Sequence, residues 1–190
     1  EGDEKTGVTT MQMAEGLDTG DMLLKTEVVL DEKETGGSLH DKLAEAGARL
    51  CVETLKGLEA HAITPEKQGE SPTEYARMLD KILGKIDWTR PAEEIERLIR
   101  GLNPWPSAYT DWTGKTMKIW EAQVINQEEA KAAQQEAAKP GTVVKVEKDG
   151  FLVQTGKDLL KVCALQIPGK KRMDAGAFLR GYTMEAGEKL

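Results

Sequence analysis

Apolar and polar positions first fall into a period near the start of the chain, where Val8, Met11 and Met13 mark one side of an alternating segment, the pattern of a strand. A loop rich in Gly and Asp follows, Glu15-Gly16-Leu17-Asp18-Thr19-Gly20-Asp21. Met22 to Leu30 (MLLKTEVVL), dense in apolar and β-branched residues, is a second strand. Leu39, Leu43, Ala46, Leu50, Leu55 and Leu58 then recur at helical spacing. With Ser38 as the opening cap and Asp41 three residues on as its capping-box partner, this predicts a helix running to about Ala60, one face packed on the strands.

The pattern breaks at Ile63 to Pro72, polar and punctuated by Pro65, Gly69 and Pro72, which reads as a linker. Thr73 to Ile82 predicts a short helix. A second helix is marked at both ends: Pro91 near its first position, Glu93 and Glu94 in the first turn, Ile95, Leu98, Ile99 and Leu102 on one face, Arg97 and Arg100 late, Gly101 near the stop. Asn103-Pro104-Trp105-Pro106 cannot continue it, because two prolines remove donors and restrict their neighbours. Strand patterns follow at Tyr109–Trp112, Lys115–Ile125, Thr142–Glu147, Phe151–Thr155 and Leu159–Gln166, with turn signals at Thr113-Gly114 and Lys148-Asp149-Gly150. Short strands with tight turns suggest a small closed or partly closed barrel. Asn126 to Lys139, made of Ala, Glu, Gln and Lys, lacks a core-facing stripe and reads as an excursion between strands. Asp174 is placed to cap a last short helix. The expected organisation is residues 1–62, a linker over 63–84, and a barrel domain over 85–190.

Charge divides the same way. Residues 1–84 carry nine Lys and Arg against eighteen Asp and Glu, and residues 85–190 carry seventeen against fifteen. The second half is therefore the one suited to a polyanion. Its densest positive stretch is Lys170-Lys171-Arg172, which is either a solvated loop or a phosphate contact. All four Trp, at 88, 105, 112 and 120, lie in this half as core packing or as stacking platforms. No apolar run approaches the ~20 residues that span a membrane. Cys51 and Cys163 suggest buried thiols in a reducing, cytoplasmic setting, and with no CxxC and no His pair at ligand spacing no metal is expected. His40 and His61 fall off the helical stripe and read as surface residues.

The candidate chemistry lies in the loop between the first two strands. Gly16 and Gly20 bracket Asp18, so the backbone there can turn sharply and approach a ligand. That suits either a catalytic carboxylate or an ordinary surface turn.

Gly7, Thr9-Thr10, Gln12, Leu17, Asp18, Gly20 and Leu23 together resemble the signature of the folate-dependent formyltransferases. The wording QMAEGLDTGDML, with NPWP and GKKRM later, is closest to the members that act on methionyl-tRNA. The resemblance covers essentially the whole chain. It implies an α/β piece of a Rossmann-like formyltransferase domain followed by a small β-barrel of oligonucleotide-binding type. By resemblance, Asp18 is the third member of an Asn/His/Asp constellation in which the Asn stabilises an oxyanion, the His handles the proton and the Asp holds the His. Gly16, Leu17, Thr19 and Gly20 would line the side of the co-substrate, 10-formyltetrahydrofolate. Initiator methionyl-tRNA would be the acceptor, met in part by Lys170, Lys171 and Arg172, and a monomer is expected. The family's Asn and His lie upstream of the signature, and neither His40 nor His61 matches them. The chain is therefore expected to be cut within the catalytic domain and inactive alone. A sugar-nucleotide formyltransferase, a formyltetrahydrofolate hydrolase and a purely RNA-binding or structural module stay as alternatives.

Overall fold

The computed structural model describes residues 2–70, 76–126 and 138–190. It divides into two compact units, Gly2–Met78 and Leu79–Leu190.

In the first unit, β1 (Lys5–Met11) and β2 (Met22–Val29) form an antiparallel pair. The register runs Thr10 opposite Leu24 and then Met11 opposite Met22, leaving Leu23 as the extra residue of a bulge. The half-buried side of β1 is Thr6, Val8 and Thr10. Met13 lies beyond the strand, 94% exposed, so Val8, Met11 and Met13 do not share one face. α1 (Gly36–Glu59) covers the pair. Its N-cap is Thr35 rather than Ser38: the Thr35 hydroxyl accepts from the Ser38 amide (3.1 Å) and the Ser38 hydroxyl accepts from the Thr35 amide (3.0 Å). The capping box therefore sits three residues earlier, with Ser in the place usually taken by Glu or Gln.

The buried side of α1 also differs from the sequence pattern. Leu50 and Thr54 are buried, and Leu39, Leu43, Ala46 and Gly47 are half-buried, whereas Leu55 and Leu58 are exposed. Thr54 takes the inward position because its hydroxyl meets that of Thr10 (2.8 Å) and donates to the Leu50 carbonyl (2.7 Å). Cys51, one residue off that side, is exposed rather than buried. His40 and His61 are exposed, as the pattern indicated.

The segment read as a linker is partly built into this unit. Met22 and Glu66 exchange both backbone hydrogen bonds (2.7 and 2.8 Å). Of the helix expected over Thr73–Ile82, residues 73–75 lie outside the described residues and 76–81 are not helical; a single 3₁₀ turn occupies Ile82–Gly84.

In the second unit, α2 (Ala92–Gly101) begins after Pro91; Arg90, just before it, pairs with Glu94 in its first turn (2.7 Å), and Glu96 and Arg100 form an i,i+4 ion pair within it (2.6 Å). Ile95, Ile99 and Leu102 are buried beneath. β3 (Ala108–Trp112), β4 (Lys115–Ile125), β5 (Val143–Val146), β6 (Phe151–Gln154) and β7 (Leu159–Gln166) lie in the order β3-β4-β7-β6-β5, and the short β8 (Met173–Asp174) pairs with β7. All pairings between these strands are antiparallel. The sheet is open, and its two end strands are covered instead of exposed. The Ile86 amide donates to the Tyr109 carbonyl on β3 (2.8 Å), and the Glu188 carbonyl accepts from the Val143 amide on β5 (2.8 Å). That removes free edge groups that would otherwise recruit another strand.

The core contains Phe151, Val162, Leu165 and Phe178, with Trp112 edge-on to Phe178 at 5.0 Å. Trp88 is buried and donates from Nε1 to the Thr110 hydroxyl (3.0 Å). α3 (Ala175–Gly181) follows Asp174, which stands at the N-cap without a side-chain cap bond. Cys163 is half-buried, and burial pushes its thiol up. Of Asn126–Lys139, residues 127–137 lie outside the described residues.

Candidate functional site

Residues 12–21 leave β1 and return to β2 as a closed loop. Its neck is fixed by the Gln12 amide donating to the Asp21 carbonyl (2.9 Å). Gly20 is buried at that neck, and a Cβ added there would lie 1.5 Å from the Gln12 carbonyl oxygen. Only glycine lets the two backbones pass so closely. Within the loop, the Thr19 hydroxyl donates to the Gly16 carbonyl (3.0 Å). From outside it, the Gln68 side-chain amide donates to the carbonyls of Asp18 (2.8 Å) and Gly20 (2.6 Å). Two backbone acceptors on opposite sides of Thr19 are thus tied to one planar amide, which restrains the loop in a single shape.

Asp18 is held at the tip with φ 55°, a left-handed conformation that Asp tolerates better than most residues. Its carboxylate is exposed and has no hydrogen-bond partner among the described residues. Leu17 beside it is 73% exposed. The loop therefore offers an unpaired acceptor on a braced backbone, next to an apolar side chain, and such an acceptor can hold an imidazole N–H or another donor. The sequence located Gly16, Leu17, Asp18, Thr19 and Gly20 in one loop. It missed Gln68, which lies in the stretch read as a linker and has no local pattern to mark it.

The second candidate region belongs to the other unit. Pro168-Gly169 turns the chain after β7, with Gly169 at φ 75° and the Lys170 amide donating to the Ile167 carbonyl (3.1 Å). Lys170, Lys171 and Arg172 are all exposed on this turn. Arg172 reaches Glu121 at 3.7 Å and lies over the Trp120 ring, 5.6 Å from its centroid. Lys170 and Lys171 make no ion pair among the described residues. Of the four Trp, 88 and 112 are buried core, 120 is half-buried, and 105 is 56% exposed. Among the described residues, no three His, Cys, Asp or Glu are grouped to hold a metal ion, and no helix is long and apolar enough to cross a membrane.

Residues 78–183 match the family described as formyl transferase, C-terminal domain, and residues 1–55 match formyl transferase. The chain belongs to the formyl transferase family. A curated relative named methionyl-tRNA formyltransferase, from Lachnospira eligens, is 54% identical over 190 residues, covering 100% of this chain and 60% of the relative. Another of that name, from Clostridioides difficile, is 46% identical over 186 residues, covering 98% of this chain and 58% of the relative. The chain thus spans about 60% of the length of the curated relatives it matches. Among solved structures, HypX from Aquifex aeolicus in complex with tetrahydrofolic acid superposes with a TM-score of 0.62 at 17% identity, covering 93% of this chain and 30% of that one. WlaRD, a sugar 3N-formyl transferase, gives 0.62 at 16% identity, covering 89% and 57%. Those two likenesses concern the fold alone.

Proposed function

We propose that this chain serves formyl transfer from 10-formyltetrahydrofolate to the α-amino group of methionine on initiator tRNA, the reaction that opens bacterial translation. The observation that carries this reading is 54% identity over all 190 residues to a methionyl-tRNA formyltransferase, with the signature loop in that aligned stretch. In this reading Asp18 accepts from the family's catalytic His, keeping its ring in one tautomer and stabilising the imidazolium as the attacking amine loses its proton. Gly16, Leu17, Thr19 and Gly20 would line the co-substrate side. Lys170, Lys171 and Arg172 would contact tRNA phosphates without reading sequence. The unit Leu79–Leu190 is read as an oligonucleotide-binding-type barrel. Register shifts along β4 and β5 support it, because bulges coil a sheet toward closure.

The experiment is formyl transfer by the protein at the length of its relatives, comparing wild type with Asp18→Asn. Asn keeps the volume and tolerates the left-handed backbone, but it cannot stabilise an imidazolium. The expected result is a kcat lower by roughly 10² to 10⁴, with folding and folate affinity nearly unchanged. A wild-type kcat in the variant would return Asp18 to an ordinary turn residue.

A further inference from the structure

We propose that Trp120 is the base of a two-cation seat for an RNA backbone phosphate, formed by Lys118 and Arg172 over its ring and tied to the basic loop by Gln166. The inference rests on the tRNA reading above and extends it to residues outside the Lys170–Arg172 run.

The argument begins in the strand register. Ile119 pairs with Leu165, Glu121 with Ala164 and Ala122 with Val162, so the pairing passes over Trp120 on β4 and then Cys163 on β7, a local irregularity after which the register is restored. A residue passed over in this way is unpaired in the ladder and its side chain is re-aimed. Here the ring is approached by two cations: the Lys118 ammonium at 5.6 Å from the ring centroid and the Arg172 guanidinium at 5.6 Å. Lys118 is on the same strand, whereas Arg172 arrives from the turn after β7. The ring therefore gathers charges from two separate elements.

Gln166 fixes that arrangement. Its side-chain oxygen accepts from Trp120 Nε1 (3.2 Å), and its side-chain nitrogen donates to the Lys170 carbonyl (2.7 Å). One amide thus joins the edge of the ring to the backbone of the basic loop, and its two ends cannot be exchanged without losing both bonds.

Two like charges held over one ring repel each other, and the ring attraction is modest in an exposed setting, about 0.5 to 1 kcal/mol per cation. The nearest carboxylate recorded against either cation, Glu121, stands 3.7 Å from Arg172. Lys118 has no ion pair among the described residues. The cluster carries more positive than negative charge, the Lys118 ammonium and Arg172 guanidinium against the one carboxylate of Glu121. A phosphodiester oxygen pair satisfies both, because guanidinium binds it in a fork and ammonium as a point charge. Lys170 and Lys171 extend the positive surface from the seat along the loop.

The test uses the 190-residue chain and fluorescently labelled initiator tRNA, with Kd measured at several salt concentrations for wild type, Lys118→Ala, Trp120→Leu, Trp120→Phe, Gln166→Leu and the double variant Lys170→Ala/Lys171→Ala. Lys118→Ala is expected to weaken binding and flatten the dependence of log K on log salt by ~0.7 to 0.9. Trp120→Leu and Gln166→Leu leave every charge in place, so a simple charge count predicts no change. The seat predicts Kd weaker by about two- to fivefold, from the ring contribution above, and a shallower slope. Trp120→Phe, which keeps a ring face, should recover most of the affinity. Should Trp120→Leu fail to fold by circular dichroism, Gln166→Leu and Lys118→Ala carry the same decision from the surface. If Lys118→Ala, Trp120→Leu and Gln166→Leu all bind as wild type while Lys170→Ala/Lys171→Ala weakens binding, the seat is overturned and the basic-loop reading stands. If the wild-type chain binds no tRNA, both fall.

Discussion

Gly20→Ala tests whether the neck of the Asp18 loop is as tight as its geometry indicates. The residue is not in a left-handed conformation, so the substitution costs nothing through φ. Its cost is steric, because the new methyl carbon would sit 1.5 Å from the Gln12 carbonyl oxygen and 2.7 Å from its carbon. Both are backbone atoms and cannot rotate away. Restoring ordinary contact requires the two backbones to part by roughly 2 Å, beyond the range in which a hydrogen bond survives. Three bonds share that displacement: Gln12 amide to Asp21 carbonyl (2.9 Å), and the Gln68 amide to Asp18 (2.8 Å) and Gly20 (2.6 Å).

At ~0.5 to 1.5 kcal/mol net for each bond, complete loss would cost between about 1.5 and 4.5 kcal/mol. Solvent can replace the partners at the exposed end, which places the expectation near 2 kcal/mol, or a factor of about 30 in the opening equilibrium. Native-state hydrogen exchange reads this directly: the Gln12 amide should exchange about 30-fold faster than in wild type, while amides in β6 and β7 of the other unit stay unchanged. Gly16→Ala is the control. The three atoms nearest its methyl all belong to the Thr19 side chain (2.7 Å to the hydroxyl oxygen), which can rotate at the expense of one exposed hydrogen bond, about 0.5 kcal/mol. Equal protection of Gln12 in Gly20→Ala and wild type would refute the account of the loop as clamped by close backbone passage.

Gln68→Ala should accelerate exchange and proteolytic cleavage within residues 12–21 without altering α1, since its two bonds end on loop carbonyls; unchanged cleavage there would show that the loop holds its shape unaided. Glu34, buried before α1, is held down to about 2 by its hydrogen bond to the Lys42 ammonium, then by that from the Ser38 hydroxyl. A lowered carboxylate contributes stability that is present above its unfolded value of 4.5 and is lost as pH falls toward 2, so urea unfolding should show the gap between wild type and Glu34→Gln shrinking across that window. A gap that stayed constant with pH would contradict it. Trp88→Phe removes the donor to the buried Thr110 hydroxyl and should destabilise the second unit by about 1 to 3 kcal/mol in denaturant titration; a change below the lower bound would mean that the hydroxyl finds another partner.

Much of the fold was legible because local signals agreed with burial. Pro91, the paired glutamates and the Ile95/Leu98/Ile99/Leu102 spacing located α2, and the turn residues separated β3 from β4 and β5 from β6. α1 was found but its cap and inner side were misread. Ser38 and Asp41 match a capping-box pattern, yet Thr35 and Ser38 form one sooner, and Leu55 and Leu58 match the helical period while Thr54 is drawn inward by Thr10. That preference is set by a strand 44 residues away. Gln68 escaped for the same reason, since its partners are carbonyls 48 and 50 residues earlier and any residue type offers those.

The two strand irregularities nearest the candidate sites differ in how visible they were. In β4, Met117 and Ile119 are buried two apart, but the next buried position is Ala122, three further on. A strand has period two, so a three-residue step between inward positions requires one residue outside the alternation. That residue is Trp120 or its neighbour, and the apolar positions Met117 and Ile119, then Ala122 and Val124, have the same change of phase, although Lys115–Ile125 reads as one uninterrupted strand. In β2 the slip falls within Met22-Leu23-Leu24, where three consecutive apolar residues hide the change of phase. A phase slip in an alternating strand thus points to a side chain turned out of the ladder, and in β4 it points to the ring that gathers Lys118 and Arg172. In an apolar run the same irregularity has no signature, and only the paired backbone of the partner strand reveals it.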